Sequence, residues 1–208
     1  IIGSGSRKVH RDKLILINLD DHTREDMEIA GFYKRLKESL DHLNIESAAV
    51  ILGKLVLGNR GHKGSPDNTI VVTDMDFWKH QENAEITTVH FDLPEPAKKV
   101  AGISGMTYSH LNDWLIATIS TEDTDNAVDD GAIGDSYLAI VENASRKISR
   151  KKMKVNELIN LSEVHEVFKE QKIESVCIQS EKEGKLKLHL VADNDTGSSC
   201  VFKVRLKG

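Results

Sequence analysis

Ile45-Glu46-Ser47-Ala48-Ala49-Val50 and Ile173-Glu174-Ser175-Val176-Cys177-Ile178 are the stretches on which the fold turns, and Ile103-Ser104-Gly105-Met106-Thr107-Tyr108 matches them more loosely. Self-similarity of this kind is the mark of a repeat architecture. Each stretch is followed by a turn and a second β-like run: Lys54 to Leu57, Trp114 to Ile119 and Leu186 to Val191. The opening Ile1-Ile2 reads as the end of a fourth such run. All of them then break into small, polar residues.

A third set of runs follows, Lys13 to Leu19, Thr69 to Thr73, Tyr137 to Val141 and Cys200 to Leu206, each alternating or continuously apolar over a strand's length. A fourth, more polar run closes three units, in Phe32 to Leu40, Ile86 to Phe91 and Lys152 to Ile159. An apolar first strand and a polar fourth strand are what a propeller blade requires, because the first lines the axis and the fourth meets solvent. The sequence therefore predicts an all-β fold, a β-propeller of four-stranded antiparallel blades, with a sandwich as the alternative. Blades are expected at about residues 1–42 (partial), 43–97, 98–170 and 171–208 (partial), in one domain. Helix is confined to single turns within Val164 to Gln171 and Asp76 to Asn83, since Gly and β-branched residues interrupt every longer window. The first unit lacks its innermost strand and the last its outermost. Such open edges are an aggregation hazard, so upstream residues supplying at least one further strand are expected.

Composition narrows the function classes. The chain has 208 residues with 28 Lys and Arg against 33 Asp and Glu, a net charge of -5, which offers no overall field to attract nucleic acid or anionic lipid. No run approaches the roughly 18–20 consecutive apolar residues of a membrane-spanning helix, so a soluble protein is expected. Cys177 and Cys200, in apolar β-like surroundings, read as buried thiols. With no disulfide framework the cytoplasm is favoured, while a periplasmic or secreted location stays open because the chain begins at Ile1.

In an antiparallel blade the start of strand one lies beside the end of strand two, at the edge from which the loop between strands two and three departs. That edge is expected to gather Ser4 and Ser6; Glu46, Asn59, Arg60 and His62; Ser104, Ser120, Glu122 and Asp123; and Glu174, Asp193, Asn194 and Asp195. Ligand contacts are assigned to Arg60, Ser104, Glu122 and Asn194. Glu46 and Glu174 interrupt an apolar strand at the same repeat position; with Asn59 and Asp193 they offer hard oxygen ligands to calcium or another divalent cation. Structural hydrogen bonds to backbone amides, or to Arg60, are the simpler role for the two glutamates. The acidic run Thr121 to Ser136 lacks the spacing and closing Glu of an EF-hand and reads as a solvated loop. Its charge is opposite to that of the Arg60, His62 and Lys63 loop. No Gly-x-Ser-x-Gly elbow is present, because Gly3-Ser4-Gly5 precedes a further strand.

The Gly58-Asn59-Arg60-Gly61 turn, the Asp129-Asp130-Gly131-Ala132-Ile133-Gly134-Asp135-Ser136 loop and the Ala192-Asp193-Asn194-Asp195 end carry a resemblance to a bacterial β-propeller family with no assigned activity. The resemblance implies six blades when complete, and no reaction. Through Glu46, Asn59 and Asp193 the chain is also distantly similar to gluconolactonase- and regucalcin-like propellers and to esterase-like phytases. Fold analogy does not license function. The expectation is a scaffold that binds a small molecule, a metal ion or a protein partner on its loop-rich face. The alternative is a metal-dependent hydrolase of the lactonase or phosphoesterase type, with the cation held by Glu46, Asn59, Glu174 and Asp193.

Overall fold

Apolar runs of strand length, broken by Gly, Asp and Asn, bury most of one face when paired side by side, and pairing is what the backbone does here. A computed structural model describes residues 1–6, 11–61, 65–95, 97, 101–122, 133–193 and 197–207; of Glu122 and Ile133 it describes the backbone alone. The strands run in chain order as β1 (Lys13–Ile17), β2 (Arg24–Glu28), β3 (Ile45–Ile51), β4 (Lys54–Asn59), β5 (Thr69–Asp74), β6 (Thr87–Asp92) and β7 (Ala101–Ser109). They continue as β8 (Trp114–Glu122), β9 (Ile133–Glu142), β10 (Lys152–Lys154), β11 (Glu157–Asn160), β12 (Ile173–Lys182), β13 (Lys185–Asp193) and β14 (Ser199–Lys207). The fold is all-β, with fourteen strands in four sheets among the described residues.

The first sheet is the β1–β2 hairpin, extended by Ile1 to Gly5, whose backbone bonds back to β1. The second has the order β10-β6-β5-β4-β3, the third β11-β9-β8-β7 and the fourth β12-β13-β14. All neighbours are antiparallel except β10, which lies parallel to β6. β7 packs against both β3 and β12, so the leading strands of the last three sheets sit together.

Three apolar cores alternate with the sheets. One joins the β1–β2 hairpin to the second sheet through Leu14, Ile29, Leu57, Val71 and Phe77. Another fills the space between the second and third sheets with Val56, Ile70, Phe91, Ile103 and Leu115. The last joins the third and fourth through Ile116, Ile140, Phe168, Leu188 and Leu190. Alternation along each strand serves two cores at once: in β4, Val56 belongs to one and Leu57 to the other. At the rim of the second sheet Lys54 and His80 reach Asp74, 2.9 and 3.3 Å away. The Glu85 N–H, then Lys54 and His80, hold the Asp74 carboxyl well below the usual carboxylate range.

Three expectations are corrected. Phe32 to Leu40 is not a strand: α1 (Ala30–Ser39) spans it, because Phe32, Tyr33 and Leu36 recur at helical spacing and all three are buried. The ring centroids of Phe32 and Phe77 stand 4.3 Å apart, and that aromatic contact rewards a helical face over an extended one. Lys152 to Ile159 is two strands: β10 leaves to join the second sheet, and β11 closes the third. Cys177 and Cys200 are exposed, not buried. Cys177 pairs with His189 on the face of β13 opposite Leu188 and Leu190, the side away from the core. The expected single turns occur as 3-10 turns at Phe77–Lys79 and Glu166–Phe168, whereas the short helices α2 (Ala144–Lys147) and α3 (Leu161–Val164) form outside the expected windows, α3 reaching one only at Val164.

Candidate functional site

Each leading strand carries one extra residue near its start. Register shifts fall between Ile45 and Ser47, between Ile103 and Gly105, and between Ile173 and Ser175. The bulged residues are therefore Glu46, Ser104 and Glu174, the positions singled out in the sequence. A bulge re-aims a side chain and breaks the ladder locally, which explains how a carboxylate interrupts an apolar strand without being buried in the sheet. Glu46 is exposed. Glu174 is partly exposed, with its carboxylate 3.3 Å from the ammonium of the buried Lys172. Ser104 is buried, with Oγ 2.7 Å from the Ile173 carbonyl and 3.0 Å from Thr118 Oγ1. β7 lies between the strands bearing the two glutamates.

The next residues of the edge are spent on the backbone. Asn59 is buried; Oδ1 accepts from the Asn44 N–H at 2.7 Å, and Nδ2 donates to the His42 carbonyl at 3.2 Å. The Arg60 N–H donates to the Asn44 carbonyl, and the Arg60 side chain lies across Gly102. The Asp193 N–H donates to the Lys172 carbonyl at 3.1 Å, with its side chain exposed. Ser120 is buried and its hydroxyl has no hydrogen-bond partner among the described residues. Ser4 and Ser6 hydroxyls stand 2.9 Å apart, both within reach of Arg11. Glu122 ends β8, opposite Ile133. Asn194, Asp195, His62, Lys63 and residues 123–132 lie outside the described residues, and with them the expected pairing of acidic and basic loops. No group of three or more His, Cys, Asp or Glu among the described residues is placed to hold a metal ion.

Two polar side chains outside the set of expected site residues stitch the sheets together. Asn68, just ahead of β5, accepts from the N–H groups of Gly61 (3.0 Å) and Ile103 (2.9 Å) and donates to the Ala101 carbonyl (2.8 Å). Ser136 in β9 accepts from the Ile173 N–H at 3.1 Å and donates to the Gln171 carbonyl at 2.8 Å. Ile103 and Ile173 sit just ahead of the bulge in the matching leading strands; the Ile45 N–H, at the same place in β3, makes the corresponding bond to the Ser4 carbonyl at 2.9 Å. An Asn or Ser beside a strand is read as turn chemistry, so nothing in its sequence setting marks this reach into the neighbouring sheet.

The edge of the second sheet opens into a cavity of about 150 Å³ lined by Asp41, His42, Asn59, Asp67, Thr69 and His90, with Ser65 at its side. His90 stands 3.8 Å from both Asp67 and Asp92, and Asp92 in turn is held by Lys152 at 2.9 Å. His42 Nε2 is 2.6 Å from the Arg60 carbonyl. Carboxylates, imidazoles and a threonine hydroxyl thus converge on one small polar hollow. At about 30 Å³ per water it admits the tip of a polar molecule rather than a whole cofactor.

Comparison with known proteins adds a family. No curated protein matches the chain. The solved structure of apo AztD from Citrobacter koseri aligns over 94% of this chain and 56% of its own length, at 8% identity and a TM-score of 0.28. The chain thus spans little more than half of that protein, and a likeness so loose says nothing of fold or ligand. Residues 1–197 match the family of unknown function DUF6910, and the chain belongs to that family.

Proposed function

We propose that the chain is a binding scaffold, an arc of β-propeller blades that takes a small polar ligand at the edge where strands one and two of each blade meet the loop to strand three. The blades correspond to about residues 1–42, 43–97, 98–170 and 171–208. Support for the architecture comes from the serial stacking of sheets on alternating cores, with leading strands side by side and bulged at the same place. The observation that carries the function is the polar cavity under that edge, with His42, Asp67 and His90 around it. Asn59 shapes its wall through the backbone. Glu46, Arg60, Ser104, Glu122, Glu174, Asp193 and Asn194 belong to the same edge in this reading, Ser104 as a structural stitch. The mixture of carboxylates and imidazoles suits a ligand with neighbouring hydroxyl or amino groups.

The test is an amide-shift titration of the labelled protein with small polyols, amino sugars and amino alcohols. A hit is expected to move Thr69 and His90 amides, and His90→Ala or Asp67→Asn to weaken it at least tenfold, a loss of about 1.4 kcal/mol. Shifts clustered away from the second sheet, or hits indifferent to both substitutions, would contradict the proposal.

A further inference from the structure

Arg146-Lys147-Ile148-Ser149-Arg150-Lys151-Lys152-Met153-Lys154 holds six cations and no acid, in a chain whose net charge is -5. Such a run is usually a solvated connection. This one is fastened to the fold. Ile148, Met153 and Val155 are buried in the core between the second and third sheets, so the segment bridges the two. Main-chain bonds hold it from both sides: the Ala144 N–H donates to the Asp113 carbonyl, the His90 N–H to the Lys151 carbonyl and the Val155 N–H to the Asp92 carbonyl. With the apolar side chains turned inward, Arg146, Arg150, Lys151, Lys152 and Lys154 are exposed and Lys147 is partly buried.

Three of the cations gather at one place. The Lys147 ammonium donates to Asn156 Oδ1 at 2.8 Å and to the Lys154 carbonyl at 3.3 Å. Those two bonds fix its position and leave the third of its N–H donors. The Arg150 N–H donates to the Lys147 carbonyl at 3.1 Å, closing a tight turn in which residues three apart share a side. Burial lowers the pKa of the Lys147 ammonium, and the charges of Arg150 and Lys154 add to that effect against the opposing pull of Glu142 and Asp113. Glu142 makes no ion pair with Lys147, and the Asp113 carboxylate already accepts from Tyr108 and Ser145. The side chains of Arg150 and Lys154 make no ion pair or hydrogen bond with a described residue, whereas Lys152 is paired with Asp92. Lysines on an edge strand guard against unwanted pairing, and β10 is an edge of the second sheet among the described residues. That role accounts for Lys152 and Lys154 but not for Lys147 and Arg150, which lie off the strand.

We propose that Lys147, Arg150 and Lys154 form a binding site for a phosphoryl dianion, as inorganic phosphate or a phosphomonoester carries it. Such a group brings close to two negative charges and three strong acceptor oxygens, one for each cation. The guanidinium fork of Arg150 suits two of the oxygens, and each lysine acts as a point charge. A carboxylate, with one charge and two oxygens, would leave the cluster of three cations unbalanced. The inference does not rest on the polar cavity of the second sheet, and uses none of the residues that line it.

The experiment titrates the full chain by calorimetry with inorganic phosphate, glycerol phosphate and acetate, at a constant ionic strength of about 0.15 M so that long-range attraction is screened. Saturable binding of both phosphates is expected, at least tenfold tighter than that of acetate. An Arg150→Gln/Lys154→Gln variant, which removes no described side-chain contact, should keep the parent's Tm without ligand and bind phosphate at least tenfold more weakly. Lys151→Gln, in the same run but outside the cluster, should bind as the parent does. Absence of saturation by either phosphate, acetate binding as tight as phosphate, or a double variant that binds like the parent would each overturn the proposal. So would an equal loss in Lys151→Gln, since the charge of the run alone would then suffice. Once phosphate binding is established, sedimentation with vesicles of phosphatidylcholine and phosphatidic acid in equal parts, beside phosphatidylcholine alone, separates the sources. Capture by the acidic vesicles alone assigns the phosphoryl group to a lipid headgroup, and no capture assigns it to a soluble phosphomonoester; both results uphold the site.

Discussion

Replacing Asn68 by Ala is expected to destabilise the protein by about 3 kcal/mol or more, the largest loss expected of any single polar side chain in the described structure. Asn68 is only 2% exposed and meets three backbone groups that have no water to fall back on. Truncation leaves the Gly61 and Ile103 N–H groups and the Ala101 carbonyl without their partner, and each buried orphan costs roughly 1–3 kcal/mol. For a chain of this size that corresponds to a fall of roughly 6–12 °C in Tm, read by calorimetry. Ser136→Ala removes two such contacts and should cost less. An Asn68→Ala variant within about 0.5 kcal/mol of the parent, the range of ordinary surface substitutions, would show that the seam between the second and third sheets does not depend on this clip.

Adding one methyl group at Gly105 is expected to cost about 1–3 kcal/mol, the usual penalty for overpacking a tight contact. A Cβ there would stand 2.7 Å from Thr118 Oγ1, 2.8 Å from Ser175 Cα and 3.1 Å from the Glu174 carbonyl oxygen. The first can rotate away; the other two are the backbone of β12 and cannot. Gly105→Ala must therefore push the fourth sheet from the third. Urea denaturation would show a lower midpoint at unchanged slope if the chain still unfolds as one unit. A midpoint equal to the parent's would mean that β7 and β12 are not in this contact.

Much of the strand pattern was legible because it depends on short-range chemistry. Ile45 to Val50, Ile103 to Tyr108 and Ile173 to Ile178 fall within β3, β7 and β12, and the runs that follow each fall within β4, β8 and β13. The helix α1 was missed because Phe32, Tyr33 and Leu36 were weighed as a polar closing strand, and the partner that rewards their helical face, Phe77, lies far along the chain. β10 was misplaced because strand exchange between sheets leaves no local trace: Lys152 to Lys154 look the same whichever sheet they join. Cys177 was misjudged because an apolar strand implies two covered faces, and the fourth sheet covers one; Cys200 is on the core side, opposite Ala192, but near the start of the outer strand β14, where the cover thins.

At the site, the repeat position of Glu46 and Glu174 was visible but the bulge beneath it was not, since a bulge is defined by the partner strand's register. Asn59 carried the right address and a different task, holding the backbone of His42 and Asn44. His42, Asp67 and His90 come from three separate segments and share no spacing. Only the folded second sheet brings them to one cavity.

The claim underneath the proposed function is that the stacked sheets form one rigid body whose edge presents the cavity. Native-state hydrogen exchange at Ile45, Ile103 and Ile173 tests it most directly, because these amides bond across the seams to Ser4, Asn68 and Ser136. The account expects all three to exchange only by global opening, with one common free energy equal to that of unfolding. Three unequal free energies, each well below the global value, would mean that the sheets open independently, and would contradict it.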